Sequence, residues 1–252
     1  MSSTFSSMLQ RMTRWALLSV VVAVSVGCAT RPDAHPQDPF ETFNRDVYRF
    51  NEVVDEAVVK PVAIAYRDVT PDPVRTGVSN FFGNLGDVWS TANAVLQLRP
   101  REAAENWLRV SVNTVFGLGG LLDIASEMGI ERTKLDFGLT LGRWGIPSGP
   151  YLVLPFMGPS TIRDVAGTSI ESRGDLVQQL EHIPTRNSLY VLRLVDTRTN
   201  LLRATSMLEG VALDKYSFTR DVYLQRRDSQ IEHAQEQMGN GIGIQRDTDT
   251  DK

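Results

Sequence analysis

The residues that could carry catalysis are few and lie far apart in the sequence. The three histidines stand at positions 35, 182 and 233. None of them has the spacing to another histidine, a cysteine or a pair of acids that is typical of a metal site. No serine lies in a nucleophile-elbow pattern, and the surroundings of Ser160 read GPSTI. We therefore predict that the protein is not an enzyme and holds no metal or other cofactor.

Two further patterns could indicate phosphate binding or acid–base catalysis. The turn at 117–120, Gly-Leu-Gly-Gly, is rich in glycine like a phosphate-binding turn, but it follows a helical pattern rather than a strand and lacks the rest of that fingerprint. Four acids are interpreted as helix caps and ion-pair partners: Asp123, Asp136, Asp164 and Asp196. The enzymatic alternative is a lipid-modifying hydrolase that uses Ser160, Asp164 and His182, although no motif surrounds these residues.

Cys28 is the only cysteine of the chain, and it follows a segment typical of export signals. Two arginines precede an uncharged run over residues 15–26, which is shorter than the roughly 20 residues that span a bilayer. A cysteine after a small residue at the end of such a run resembles a bacterial lipobox, although Ser25 stands where leucine is usual. We predict a signal peptide over 1–27 and lipid attachment at Cys28. A cleaved signal with a chance cysteine is the alternative.

The residue after Cys28 indicates where such a lipoprotein would go. In Gram-negative lipoproteins an aspartate at this position retains the protein at the inner membrane, and Ala29 stands here. We therefore predict the periplasmic side of the outer membrane, with residues 28–37 as a lipidated tether. Loss of 1–27 removes two arginines and no acid and changes the formal charge from −4 to −6, which makes nucleic acid an unsuitable partner.

The rest of the chain predicts one domain over 38–235 and a disordered polar tail over 236–252. Asp38 followed by Glu41 is spaced like a capping box, and Asp72-Pro73 is a second helix start. Three glycines would bend or break the second helix. Helices are expected over 38–60, 72–96, from Ser160 or Thr161 onward, over 189–207 and over 213–231. The predicted fold class is therefore all-α, with little strand.

Residues 101–125 form the segment on which a site would depend. Apolar residues recur there at three- and four-residue spacing, with charged residues mainly on the other side. Glycines then end the helix, and an apolar run follows where a surface turn would be polar. The candidates for a channel or for lipid contact are Trp107, Leu108, Val112, Val115, Phe116, Leu118, Leu121 and Leu122. Burial in a core is the alternative, because patterning alone does not separate the two.

A second unusual segment covers residues 136–164. Five glycines and four prolines exclude a long helix there. Tyr151 to Phe156 is predicted to form one short extended segment, with Pro155 at an edge or a bend. The loop is largely apolar, so it requires either burial or contact with lipid.

Four segments resemble the MlaA/VacJ family of outer-membrane lipoproteins, in the same order along the chain. They are DPFETFNRDVYRFN at 38–51, RPREAAENWLRVSVNTVFGLGGLLDIA at 99–125, DFGLTLGRWGIPSGPYLVLPFMGPSTIRD at 136–164 and DKYSFTRDVYLQR at 214–226. The resemblance implies a ring-like assembly of amphipathic helices that forms an amphipathic channel in the outer membrane. This channel would remove mislocalised phospholipids from the outer leaflet and so maintain lipid asymmetry.

The resemblance also implies partners: phospholipid, trimeric porins and a soluble periplasmic lipid carrier of the Mla pathway. It places the channel-side hairpin at Trp107 to Ile124 and a flexible loop beside it. The flexible-loop candidates are Gly117, Gly119 and Gly120, which would let the hairpin itself turn, and Gly145, Gly149, Tyr151 and Gly158 in the loop beside it. Close helix packing is the alternative reason for the first three glycines. A purely structural lipoprotein is the alternative function.

Overall fold

A computed structural model describes residues 35–209 and 213–241 of the chain. The predicted signal peptide, Cys28, most of the predicted tether and residues 242–252 lie outside these ranges. The elements are α1 (Glu41–Val54), a π-helical segment (Asp55–Val59), α2 (Lys60–Val69), α3 (Asp72–Leu96), α4 (Pro100–Val115), α5 (Ile124–Glu127), α6 (Phe137–Arg143), β1 (Tyr151–Leu154), β2 (Gly158–Thr161), α7 (Ile162–Gly174), α8 (Ile183–Glu209) and α9 (Lys215–Gly241). The prediction of a mainly helical chain is confirmed.

The elements contact one another in a closed circuit. Helix α1 packs on β1, which pairs antiparallel with β2, and β2 contacts both α7 and α9. Helix α7 packs on α6, α6 on α3, α3 on α8 and α8 on α2, which continues back into α1 through the π-helical segment. These contacts arrange the helices in a ring that encloses a space.

The apolar cores of the ring are small. One core joins α3, α4 and α6 through Ala94, Ala103, Leu135 and Leu139. The other joins β1 to α9 through Tyr151, Val153, Tyr216 and Leu224. More polar or charged side chains than apolar ones are buried among the described residues, while many large apolar side chains are exposed. This distribution is the reverse of that in an ordinary water-soluble domain.

The predicted capping box at the start of α1 is wrong. The helix begins at Glu41 with Phe40 at its N-cap, and no side chain caps it. Asp38 is fully buried instead and bonds Asn44, Tyr216 and Arg220. The carboxylate therefore ties the start of the domain to α9, because two buried donors from that helix require an acceptor.

Other boundaries also differ from the sequence prediction. Helix α3 stays continuous over 25 residues in spite of its three glycines, and Gly83 allows a close approach, since a Cβ there would lie 2.7 Å from the Arg132 guanidinium. The carbonyl of Gln37 accepts from Tyr151 N at 2.7 Å, so the last residue assigned to the tether belongs to the fold. Helix α8 begins before residue 189, and α9 extends to Gly241, into the segment predicted to be a disordered tail. Thr161 caps α7 as expected.

Candidate functional site

Helix α4 carries its polar side inward and its apolar side outward. Asn106, Arg109 and Asn113, at three- and four-residue spacing, are buried, whereas Trp107 and Val115 are 61% and 70% exposed. The sequence analysis placed the charged residues, Arg109 among them, mainly opposite the apolar ones and left open which side is buried. The polar side is the buried one, because the buried neighbours of α4 are themselves polar.

Arg109 is the centre of a buried ion network. Its Nη2 donates to both oxygens of Asp123 at 2.7 and 2.9 Å, and its Nε lies 3.4 Å from Asp87. Asn113 also donates to Asp123 at 3.0 Å, and Asp123 caps α5 through Ser126 N. Burial alone would raise the pKa of Asp123, but the hydrogen bonds from Ser126, Asn113 and Arg109 outweigh it and lower the pKa to about 2. The network fixes the apolar turn after α4 to α3.

The turn between α4 and α5 is tightly hydrogen-bonded and lies against α3. Gly120 N donates to the carbonyl of Asn113 at 2.8 Å, and Leu122 N donates to that of Gly117 at 2.9 Å. Asn80 of α3 donates to the Leu121 carbonyl at 3.2 Å. These bonds satisfy the backbone, so the apolar side chains of the turn are free to point outward.

The predicted channel or lipid-contact residues are exposed with one exception. Seven are exposed: Trp107, Leu108, Val115, Phe116, Leu118, Leu121 and Leu122. Val112 is 8% exposed and packs inside, so its assignment to lipid contact is wrong. The alternative that this hairpin forms a core also fails, because Leu118 is 71% exposed. None of the eight lines the central cavity described below.

Each predicted flexible-loop glycine occupies a position at which any other residue would be strained. Gly117 has no room for a side chain, since a Cβ would lie 2.2 Å from the Leu122 carbonyl oxygen. The other five have positive φ angles between 67° and 95° and allow tight turns: Gly119, Gly120, Gly145, Gly149 and Gly158. Their conformation explains why glycine stands there, and their mobility stays a prediction.

A cavity of about 920 Å³ lies inside the ring. Its walls are formed by α3, α7 and α8, the loop residues Arg132 to Leu135, and Met157 from the turn between β1 and β2. The lining carries charges of both signs: Asp87, Arg132, Lys134, Glu171, Asp175, Arg193 and Asp196. Apolar residues of the same wall include Phe82, Leu85, Trp89 and Leu176.

Most of the charges in the wall are paired. Arg132 bonds Asp87 at 3.0 Å, and Arg193 bonds Asp175 at 3.0 Å. Burial raises the pKa of Asp87 in spite of its two arginine partners. Burial likewise raises the pKa of Glu171, which accepts from Phe137 N at 2.5 Å. The wall therefore combines nearly balanced charges with apolar side chains, and it suits a ligand that is itself both charged and apolar.

The sequence analysis missed this cavity. Its polar residues recur at three- and four-residue spacing within helices: Asp87 and Ser90 on α3, and Arg193, Asp196, Thr197 and Asn200 on α8. That spacing was a usable signal for a polar inner face. The sequence analysis drew no conclusion from it, because only the ring closure turns these faces toward one another.

The structure does not assemble the hydrolase alternative. Asp164 is engaged by Tyr223 at 2.6 Å and by Arg227 at 2.6 and 3.0 Å, whereas His182 bonds Thr185 at 2.7 Å. Ser160 Oγ donates to the carbonyl of Thr161.

Two of the other acids interpreted as caps and ion-pair partners act as both: Asp123, described above, and Asp136, which caps α6 and pairs with Arg227.

No group of three or more His, Cys, Asp or Glu within 35–209 and 213–241 is arranged to hold a metal ion. In the same ranges no helix is long and apolar enough to cross a membrane.

The class that this fold defines is a helical ring whose cavity has both charged and apolar walls and which exposes many large apolar side chains. The chain belongs to the MlaA lipoprotein family, whose model matches residues 36–230. It is therefore a membrane-associated lipoprotein, and the resemblance seen in the sequence is confirmed.

Relatives and a solved structure agree with this assignment. The chain is 36% identical over 221 residues to the intermembrane phospholipid transport system lipoprotein MlaA of Shigella flexneri, covering 85% of this chain and 87% of the relative. The lipoprotein of the same description from Haemophilus influenzae is 32% identical, with 83% and 86% covered. A solved structure from work on the structural basis for maintenance of bacterial outer membrane lipid asymmetry is 35% identical, with a TM-score of 0.68 and coverage of 77% of this chain and 98% of that one.

Proposed function

We propose that the protein removes mislocalised phospholipids from the outer leaflet of the outer membrane and passes them through its central cavity toward a soluble periplasmic lipid carrier. The observation that carries this proposal is the cavity of about 920 Å³, with charged and apolar residues in one wall, inside a ring whose outer surface is apolar. A phospholipid combines a charged headgroup with apolar tails, so its path must offer both kinds of contact.

The outer surface supports a position within a leaflet. Trp107, Val115, Phe116 and Leu118 form an exposed apolar patch on α4 and its turn, and Phe43, Phe50 and Val53 are exposed on α1. A protein without spanning helices can bury such faces among lipid headgroups and acyl chains. The seven exposed residues of the predicted lipid-contact set then face acyl chains from outside the ring. The charged residues of the cavity bind the headgroup.

The anchor and the partners complete the proposal. Lipid on Cys28 would hold the ring at the periplasmic side of the outer membrane, since acyl chains contribute about 0.8 kcal/mol per buried methylene. Trimeric porins and a periplasmic carrier of the Mla pathway are the protein partners we expect. The relatives described as parts of an intermembrane phospholipid transport system support this expectation. We also propose that no covalent chemistry is involved.

A pair of matched variants tests the path. Ser172 and Ser169 are both exposed on α7, and only Ser172 lines the cavity. Ser172→Trp should obstruct the cavity, whereas Ser169→Trp adds the same bulk outside it. In cells that lack their own family member, we expect Ser169→Trp to restore resistance to detergent with chelator and Ser172→Trp to fail at equal protein abundance. Equal rescue by both variants would contradict passage through this cavity.

Purified wild-type protein separates the remaining alternatives. Mass spectrometry should find phospholipid bound to the detergent-purified lipoprotein, which a purely structural tether would not retain. Release of fatty acid from added phospholipid would instead reveal a hydrolase.

A further inference from the structure

One carboxylate in the cavity wall belongs to a cluster of polar side chains. Asp196 of α8 is 4% exposed, and Ser79 of α3 donates to its two oxygens at 2.9 and 2.8 Å. Asn200 donates to Ser79 Oγ at 3.0 Å and to Asp196 at 3.3 Å. All three residues line the cavity, so this cluster is directed at whatever occupies it.

Asp196 forms no ion pair with any cation in the described part of the chain. Arg75 acts on it only through space and is itself ion-paired with Asp72. Burying a carboxylate is costly unless a cation compensates it, and burial accordingly raises the pKa of Asp196. Hydroxyl and amide donors compensate only part of that cost. A cation that enters from the cavity would complete the site.

The oxygen atoms around Asp196 suit an ammonium group. A primary ammonium has three N–H donors and no acceptor. The Asp196 carboxylate can accept one, and Ser79 Oγ has remaining lone-pair capacity. Asn200 Oδ1 accepts no hydrogen bond within the described residues, so it offers a third acceptor. A quaternary ammonium such as choline lacks the N–H donors that this arrangement requires.

The same wall holds a matching cation. Lys134 is exposed to the cavity and has no ion-pair partner among the residues that the structure describes, unlike Arg132 and Arg193. A phospholipid headgroup presents a phosphate, which an unpaired lysine binds as a point charge. The lining thus offers an anionic group for an ammonium and a cationic group for a phosphate.

We propose that Ser79, Asp196 and Asn200 bind the primary ammonium of an ethanolamine phospholipid, so that the cavity favours this lipid over a glycerol phospholipid. The inference rests on the proposed function and deepens it by naming the headgroup. Lys134 binds the phosphate that both lipids share. Headgroup preference and total lipid binding therefore depend on different residues.

The test is competitive lipid binding by the full-length lipoprotein in detergent. Delipidated protein is incubated with equal amounts of phosphatidylethanolamine and phosphatidylglycerol, and bound lipid is counted by native mass spectrometry. We expect wild type to bind the ethanolamine lipid about tenfold more, because one charge-assisted hydrogen bond in a shielded site changes affinity by about that factor. Asp196→Asn should bring the ratio close to one.

Three other variants separate the roles. Lys134→Gln should lower the binding of both lipids and leave their ratio unchanged. Asp46→Asn, on the exposed side of α1, should change neither. Ser79→Ala keeps the carboxylate but removes its main donor, and should reduce the ratio even if Asp196→Asn does not fold. An unchanged ratio in a folded Asp196→Asn or Ser79→Ala variant would overturn the assignment.

The outcomes also separate this inference from the proposed function. Wild-type protein that binds both lipids equally would refute the ammonium site and leave phospholipid transport standing. Wild-type protein that binds neither lipid would refute the proposed function itself.

Discussion

Asn44 and Asn51 lie seven residues apart on α1, and their side-chain amides form hydrogen bonds with the backbone of the same strand segment. Asn44 donates to the Tyr151 carbonyl at 3.0 Å and accepts from Val153 N at 2.9 Å. Asn51 repeats this pattern with the Leu154 carbonyl at 2.9 Å and Phe156 N at 2.8 Å. Seven residues are two helical turns, so both amides lie on one helix face and follow the edge of β1.

The two amides should contribute unequally to stability. Asn44 is fully buried and also bonds Asp38, whereas Asn51 is half-buried. We expect Asn44→Ala to lower the free energy of unfolding by about 3 kcal/mol, because it strands buried polar groups, and Asn51→Ala by about 1 kcal/mol. Thermal unfolding of the two variants in the same detergent measures the difference. Equal losses of stability in the two variants would show that the contribution of these hydrogen bonds to β1 does not depend on burial.

Asp38 should matter more than a helix cap does. Loss of a cap costs about 0.5–2 kcal/mol, whereas breaking a buried ion pair costs about 3–5 kcal/mol. Asp38 faces Arg220, which is 7% exposed, and accepts from the Tyr216 hydroxyl. We therefore expect Asp38→Asn, which could still cap, to destabilise by about 3 kcal/mol in chemical unfolding. A loss below about 1 kcal/mol would favour the capping interpretation.

The Arg109–Asp123 pair predicts a specific dependence of stability on pH. Hydrogen bonds depress the pKa of Asp123 to about 2 from a usual value of 3.8. A depressed carboxylate pKa stabilises the folded state above the unfolded pKa, and that contribution is lost as pH falls from about 4 to 2.

Asp123→Asn should therefore unfold more easily at neutral pH and lose less stability than wild type between pH 4 and 2. Unfolding midpoints across that range provide the measurement. Asp46→Asn serves as the control, because Asp46 is exposed and pairs loosely with Arg49 at 3.6 Å. Parallel curves for wild type and Asp123→Asn would exclude Asp123 from the acid response.

The sequence predicted the main helices because their apolar spacing is a local pattern, although the cap that it placed at Asp38 was wrong. It could not tell which face of α4 is buried. The pattern defines an apolar face with Trp107 and a polar face with Arg109, but it does not show which of the two packs against the rest of the ring. The role of Asp38 was missed for a related reason: Tyr216 and Arg220 stand about 180 residues away, whereas Glu41 is close enough to suggest a cap. Asp196 was read as an ion-pair partner, and its contact with Ser79 depends on α3 and α8 meeting across the ring.

Leu118 provides the sharpest test of the apolar turn. Its side chain is 71% exposed and its φ is 54°, a region that aspartate tolerates better than most residues. Leu118→Asp should therefore fold and stay in the membrane fraction at near-normal abundance. If the turn faces acyl chains, the new charge is expensive there, at roughly 2–3 kcal/mol or more. We then expect phospholipid to accumulate in the outer leaflet and cells to become sensitive to detergent with chelator. Leu118→Met keeps the surface apolar and should behave like wild type. Disappearance of Leu118→Asp from the membrane would contradict the exposed position of Leu118, and normal abundance with a normal barrier would leave the turn as an exposed loop without contact to lipid.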